Sequence, residues 1–246
     1  MKLYSDSPNA NISINRTSEL TEALKKVKEE NIQVIIESGT YLGLGSTSII
    51  ADIFSLSNNL EKMYTIEVNP RFFKIAKKNL DKYPFVKCIN GFSLKLSSAL
   101  EFLENDDAVN NHLKFPDIYI DDTSDPLEFY KNEILGYLQR NDQRRKIFKR
   151  LFVKSKENLL PEIIEANKSK SLFIILDSSG GIGYLEFSVV EKLLKNNQYF
   201  LFLDDINHIK HFRSKEYILN SKNFSILNIQ DQDGWLICKH LPEIER

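Results

Sequence analysis

Cysteine is scarce in this chain. Cys88 and Cys238 are the only two among 246 residues, they lie far apart, and both fall in apolar, strand-like runs. The first fifteen residues, Met1 to Asn15, are polar and show no apolar leader. The expected compartment is therefore the cytoplasm, and both thiols are expected to be buried and free. Neither has a metal-ligand partner at useful spacing. Two glycosylation-type tripeptides, Asn11-Ile-Ser13 and Asn15-Arg-Thr17, mean little without a secretory signal. Long apolar runs are missing too. None approaches the roughly 20 residues of a membrane span, so no membrane partner is expected. Net charge is only −1, from 33 Lys and Arg against 34 Asp and Glu, and so even a balance exerts no global pull on nucleic acid. Repeats and low-complexity linkers are absent. What remains, 42% hydrophobic and 27% charged, is the composition of a folded globular protein.

Glycine is also sparse, nine in all, yet three of the nine (Gly39, Gly43, Gly45) stand within seven residues. They follow Val34-Ile35-Ile36, a β-branched run of the kind used by buried parallel strands, and an acid, Glu37. Ser46 and Thr47 come next, either able to cap a helix carrying Ile49, Ile50, Ile53 and Phe54. Strand, glycine-rich turn and capped helix make a cradle for a nucleotide-like ligand, because glycine admits close backbone approach and a helix start offers unpaired N–H groups. A purely structural turn gives the same local pattern. No lysine lies between Glu37 and Asp52, which rules out the phosphate loop of NTPases. Gly-x-x-x-Gly-x-Gly is not the dinucleotide pattern either. The run Glu-x-Gly-x-x-x-Gly-x-Gly-Ser-Thr instead resembles the first motif of class I S-adenosylmethionine (SAM) dependent methyltransferases. That resemblance implies SAM contacts at Glu37, Gly39, Thr40, Gly43, Ser46 and Thr47.

Ahead of the turn, Thr17 or Ser18 starts a helix to about Glu30, with Leu20, Leu24 and Val27 on one face. After it, Met63–Val68 reads as a strand ending in Glu67, and Asn69-Pro70 as a helix start. Glu67 stands 28 residues after Gly39 (67 − 39), where a doubly wound sheet places an acid to bind ribose hydroxyls. An ordinary strand-end acid is the plainer reading. Phe85–Asn90 makes a third strand, followed by Gly91-Phe92-Ser93, the turn that meets adenine in this fold. Ser93 is placed to bond the base edge and Phe92 to stack on it, unless Phe92 is core and Ser93 a cap.

From Asn105 to Lys170 the alternation breaks down. Asp117–Asp121 reads as a short strand, Glu128–Tyr137 and Arg144–Leu160 as helices. The whole stretch, about 105–170, reads as a helical insertion over the ligand side of a single domain spanning 1–246. Its basic run (Arg140, Arg144, Arg145, Lys146, Lys149, Arg150, Lys154, Lys156) is either a solvated face or a contact for an anionic substrate. Order returns with a strand over Leu172–Asp177, a helix over Glu186–Lys195 and a strand over Tyr199–Leu203. Phe224–Ile229 and Trp235–His240 then form a hairpin around Asp233-Gly234. The expected fold is α/β: a doubly wound, mostly parallel, seven-stranded sheet with an antiparallel C-terminal hairpin, Rossmann-like in class.

Asp177 ends one strand, and Asp204 and Asp205 end the next, so three carboxylates converge at the ligand edge. Crowded carboxylates raise one another's pKa unless something compensates, and a hard divalent cation, Mg²⁺, is the expected compensation. Together with Glu37–Thr47 and Glu67, these acids resemble the metal-dependent sugar O-methyltransferases of the macrocin type. The resemblance implies SAM at the glycine turn and Glu67, Mg²⁺ at Asp177, Asp204 and Asp205, and methyl transfer to a hydroxyl oxygen of a sugar or nucleotide-linked sugar. Where that family often carries an acid as base two residues after its first ligand, this chain has Ser179. His208 is the replacement base expected here, with Asp177 as the other catalytic residue and Lys210 and His211 behind them. A loop histidine is also, commonly, only a hydrogen-bonding surface residue. The expected partner is a small-molecule substrate, anionic if the basic run touches it. Nucleic acid is not expected, and homo-oligomerisation is left open. Two other readings share parts of the pattern. An NAD-dependent oxidoreductase would use the same fold and Glu67, and a non-catalytic SAM-binding protein would keep the turn without needing three converging acids.

Overall fold

The computed structural model describes residues 16–121, 123–145, 156–179, 181–232 and 234–242. Seven strands are present among them: β1 (Val34–Ser38), β2 (Lys62–Glu67), β3 (Val86–Asn90), β4 (Leu172–Leu176), β5 (Tyr199–Leu203), β6 (Phe224–Gln230) and β7 (Trp235–His240). They form one sheet in the order β3-β2-β1-β4-β5-β7-β6. The first five are parallel, and β7 runs antiparallel between β5 and β6. This is the doubly wound, mostly parallel α/β sheet that the strand pattern predicts.

Both faces of the central strands are covered, which is why those strands read as unbroken apolar runs. Ile35, Phe173, Ile175, Phe200 and Phe202 face one helical layer. That layer comprises α1 (Ser18–Glu29), α2 (Ser46–Phe54) and α3 (Pro70–Asn79). Leu103 and Val109, from α4 (Leu96–Asn105) and α5 (Asp107–Asn110), join Tyr130 and Ile134 of α6 (Pro126–Arg145) in a separate apolar cluster. The opposite face of the sheet, with Val34, Ile36, Ile174, Leu176 and Leu201, is covered by α7 (Leu159–Asn167), α8 (Gly183–Leu194) and α9 (Phe212–Asn220). No helix among the described residues is long and apolar enough to cross a membrane. Cys238 is buried and Cys88 half-buried, and both are free thiols.

Local chemistry explains several boundaries. Thr17 caps α1 through its side chain, and Asn69 caps α3 with Pro70 at the first helical position, as their residue types favour. Three expectations are corrected. Asp117–Asp121 is not a strand, because only Tyr119 finds a bridge partner, His208. Arg144–Leu160 is not one helix: Lys156–Asn158 are non-helical, α7 starts at Leu159, and residues 146–155 lie outside the described residues. Ser46 and Thr47 do not cap α2. Gly45 holds the cap position without a side-chain bond, and both hydroxyls turn inward to Glu37. A buried carboxylate competes better for those donors than a helix end does. α9, between β5 and β6, was not expected at all.

From β1 the chain winds outward through β2 and β3, and from β4 it winds the other way. The carboxyl ends of β1 and β4 therefore flank the point where an open α/β sheet leaves a crevice. Two glycines allow close packing there, Gly39 against the exit of β4 and Gly43 against the end of α3. Gly39 has φ +92°, and a Cβ on it would lie 2.0 Å from the Asp177 carbonyl oxygen; at Gly43 (φ +70°) a Cβ would meet the Leu80 side chain at 2.9 Å. Their close approach is to protein. Gly39→Ala should therefore cost stability through two effects, left-handed strain and overlap with β4, each about 1–3 kcal/mol. Urea denaturation should show the loss as a lower midpoint.

Candidate active site

The crevice at the switch point is lined by Ser38 and Gly39 from the exit of β1, Glu67 from β2, Phe92 and Ser93 from β3, and Ser178 from β4. Ile134 of α6 and Ile182 close over it, leaving an accessible volume of about 70 Å³. Ligand clefts run to roughly 300–1,000 Å³, so a nucleoside enters only if the lining of the crevice gives way. A larger hollow of about 390 Å³ opens beside Lys168, Lys192 and Asn197, near the start of β5 and away from these acids. It is a solvent-open dent between surface lysines.

Glu37 sits beneath the crevice, fully buried. Ser46 donates to its Oε1 at 3.0 Å, and Thr47 and Thr65 donate to Oε2 at 2.7 and 2.6 Å. Thr40 bonds Thr65 in turn. Burial pushes the Glu37 carboxyl up to about 7 against the pull of these hydroxyls. Of the residues expected at the glycine turn, Gly39 alone lines the crevice. Glu37, Thr40, Ser46 and Thr47 form the buried network that supports it. This network holds the turn in shape.

Glu67 occupies the position expected of a ribose ligand. Its Oε1 accepts from Asn69 N and its Oε2 from Tyr41 N, both at 2.7 Å. Two backbone donors fix the carboxylate plane and leave one lone pair on each oxygen. Burial raises its pKa to about 7 despite those bonds. Phe92 and Ser93 both reach the crevice wall. Phe92 also packs on the cluster formed by Leu103, Tyr130 and Ile134, and Gly91 lets Lys156 approach the same turn, with Phe92 N donating to Lys156 O at 2.8 Å.

Glu186 was not foreseen. It lies on the buried face of α8, and its Oε2 accepts from Ser38 Oγ (2.9 Å) and Ser178 Oγ (2.7 Å), two crevice residues. The signal was present as an acid spaced with Gly183, Phe187 and Val190 in an apolar helix stripe.

Asp177, Asp204 and Asp205 do converge, with one oxygen from each inside a 4.8 Å group. Between them stands Lys210, its Nζ 3.2 Å from Asp177 Oδ1 and 2.7 Å from Asp205 Oδ2. Asp204 Oδ1 accepts from Asp205 N at 2.9 Å. Burial and the neighbouring Asp177 push the Asp204 carboxyl well up, whereas Lys210 holds Asp205 below the usual carboxylate range even though burial opposes it. Burial alone would lower the lysine's pKa, but the surrounding acids raise it. An ammonium thus already stands on oxygens of Asp177 and Asp205, and it would repel a second cation placed between them.

His208 has partners on both ring nitrogens. Its Nε2 lies 3.2 Å from Asp121 Oδ2 and 3.5 Å from the Tyr130 hydroxyl, and its Nδ1 accepts from Lys210 N at 3.3 Å. With Nδ1 accepting, Nε2 carries the proton and donates to Asp121. The ring braces the loop between β5 and α9. His211 is fully buried and held neutral, its pKa well below the usual range through burial and the Lys210 charge. The basic run from Arg140 to Lys154 lies outside the described side chains.

No protein-family model and no curated protein matches the sequence. Several solved structures are similar at low identity. An O-methyltransferase from Bacillus cereus in complex with SAH is 15% identical, with 92% of this chain and 82% of that one covered at a TM-score of 0.46. TomG, an O-methyltransferase from Streptomyces achromogenes involved in tomaymycin synthesis and solved with SAM, is 12% identical over 93% and 82%, at 0.45. A methyltransferase from Geobacter sulfurreducens is 12% identical over 94% and 82%, at 0.47.

The Glu37 network makes stability depend on pH. Between the ordinary value of 4.5 and the raised value of about 7, the folded chain keeps a proton that the unfolded chain has lost. Stability should therefore fall as pH rises through that window, by on the order of 3 kcal/mol from this group. In Glu37→Gln the decline should be shallower, as read from urea melts at the two ends of the window. An unchanged slope would place the Glu37 pKa in the ordinary range.

Proposed function

We propose that this chain is a SAM-dependent methyltransferase that moves a methyl group to a hydroxyl oxygen of a small molecule. The observation carrying the reading is Glu67: a carboxylate fixed at the end of β2, beside a glycine turn, with one lone pair left on each oxygen and facing the switch-point crevice. That is the arrangement a vicinal diol of ribose requires. The glycine spacing argues against the nicotinamide dinucleotides that share this use of an acid.

When bound, SAM supplies a methyl carbon already activated by its sulfonium. The protein's task is then alignment and proton management. Glu67 would hold the ribose hydroxyls, Phe92 would offer a face to the base, and Ser93 would offer a hydroxyl. Ile134 and Ile182, closing over the crevice, would exclude water. Asp177, at the exit of β4 beside the crevice residue Ser178, is our candidate for the acceptor's proton. Burial and Asp205 raise its pKa, against the pull of Lys210, which makes it a stronger base than an exposed aspartate. Asp177 would take the acceptor's O–H proton, and bound SAM would supply the methyl group and leave as the neutral thioether. A sugar or nucleotide-linked sugar fits this chemistry, and the basic run after residue 139 favours an anionic one.

Titration calorimetry tests the reading directly. SAM should bind, and Glu67→Gln should weaken binding roughly 10- to 100-fold, the usual range for hydrogen bonds to a charged group. Because the diol favours the ionised carboxylate, wild-type affinity should rise with pH through about 7, and the variant should lose that dependence. No binding at millimolar SAM would end the proposal.

A further inference from the structure

The acidic cluster at the exits of β4 and β5 has a cation of its own. The Lys210 side chain is only 7% exposed, a burial that lysine reaches almost only when paired. The loop around it is built to hold it there. Asp205 takes a left-handed backbone (φ +53°), which aspartate tolerates better than most residues. Its backbone carbonyl accepts from His208 N at 2.9 Å, and His208 Nδ1 accepts from Lys210 N. Ile209 N donates to Tyr119 O at 3.0 Å, tying the same loop to the segment before α6.

We propose that Lys210 is the resident cation of this site, standing between Asp177 and Asp205 where a divalent ion would otherwise sit, and offering its remaining N–H to the acceptor oxygen. An ammonium has three donors, and among the described residues Asp177 and Asp205 take two. The third is free to steady the negative charge that grows on the acceptor oxygen as its proton leaves, the task usually given to a metal. Like a metal, the ammonium is a compact charge, but it needs no open coordination position and cannot be removed by a chelator. The role towards the acceptor rests on the methyltransferase reading. The cation assignment does not.

Mn²⁺ titrated into the full chain and followed by electron paramagnetic resonance separates the two. The wild type is expected to take up no stoichiometric Mn²⁺ at concentrations up to about 1 mM, the weak end of carboxylate sites. Lys210→Met should bind one ion per chain, at least roughly tenfold more tightly, because the acids are intact and the competing charge is gone. Stoichiometric binding by the wild type that is no weaker than in the variant overturns the assignment. Should Lys210→Met fail to fold, the wild-type titration still decides, and Lys210→Arg is expected to exclude Mn²⁺ as the wild type does. In a methyl-transfer assay, EDTA should leave wild-type turnover unchanged, and loss of turnover would overturn the proposal. Absence of SAM binding would remove the role towards the acceptor while leaving the Mn²⁺ result to stand by itself.

Discussion

A carboxylate taken out of water must be met by donors, by a cation or by a proton. That requirement organises this protein, because its parallel strands and α8 deliver acids to one buried edge. Glu37, Glu67, Glu186 and Asp204 are all less than a tenth exposed, and Asp177 lies among them. Each is met differently. Three hydroxyls reach Glu37, two backbone N–H groups reach Glu67, and serines reach Glu186. Asp204 accepts from Asp205 N, and Lys210 bridges Asp177 and Asp205.

The differences among these solutions divide support from chemistry. Glu37 has donors on both oxygens and lies beneath the crevice, so it stabilises the turn. Glu67 has spare lone pairs and faces the crevice, so it is the carboxylate available to a ligand. The lysine-bridged acids lie two and three strands further along, at the exits of β4 and β5, with Asp177 next to Ser178. A donor bound at Glu67 and an acceptor held near Asp177 would therefore approach each other across the exits of β1 and β4. This order follows from the strand sequence β2-β1-β4-β5. No single loop provides it.

The closed state of the crevice follows from what packs above it. Tyr130 of α6 is fully buried, stacks over Gly181 and bonds Asp121, while Ile134, four residues on, lies over the crevice. One helix thus covers the ligand edge and braces the His208 loop.

Much of the fold was legible in the residues themselves. Val34–Ile36, Leu172–Leu176 and Tyr199–Leu203 are short apolar runs bounded by polar residues, and burial on both faces requires that composition wherever they pair. Thr17 and Asn69 announced their helices through local hydrogen bonds that need no tertiary partner. Asp117–Asp121 looked like a strand because alternation is local, but a strand exists only if a neighbour pairs with it, and only Tyr119 has one. Ser46 and Thr47 looked like caps because the pull of Glu37, nine and ten residues away, is invisible to local pattern. The convergence of Asp177, Asp204 and Asp205 could be read from strand ends alone, since adjacent parallel strands share an exit. What neutralises those acids could not. Lys210 follows Asp205 by five residues in an irregular loop, and whether it points to water or inward depends on backbone turns that only the folded chain sets. Sequence periodicity determined the elements and the edge at which chemistry gathers. Tertiary structure alone chose an ammonium between the acids, because compensation of buried charge is settled by distance in space.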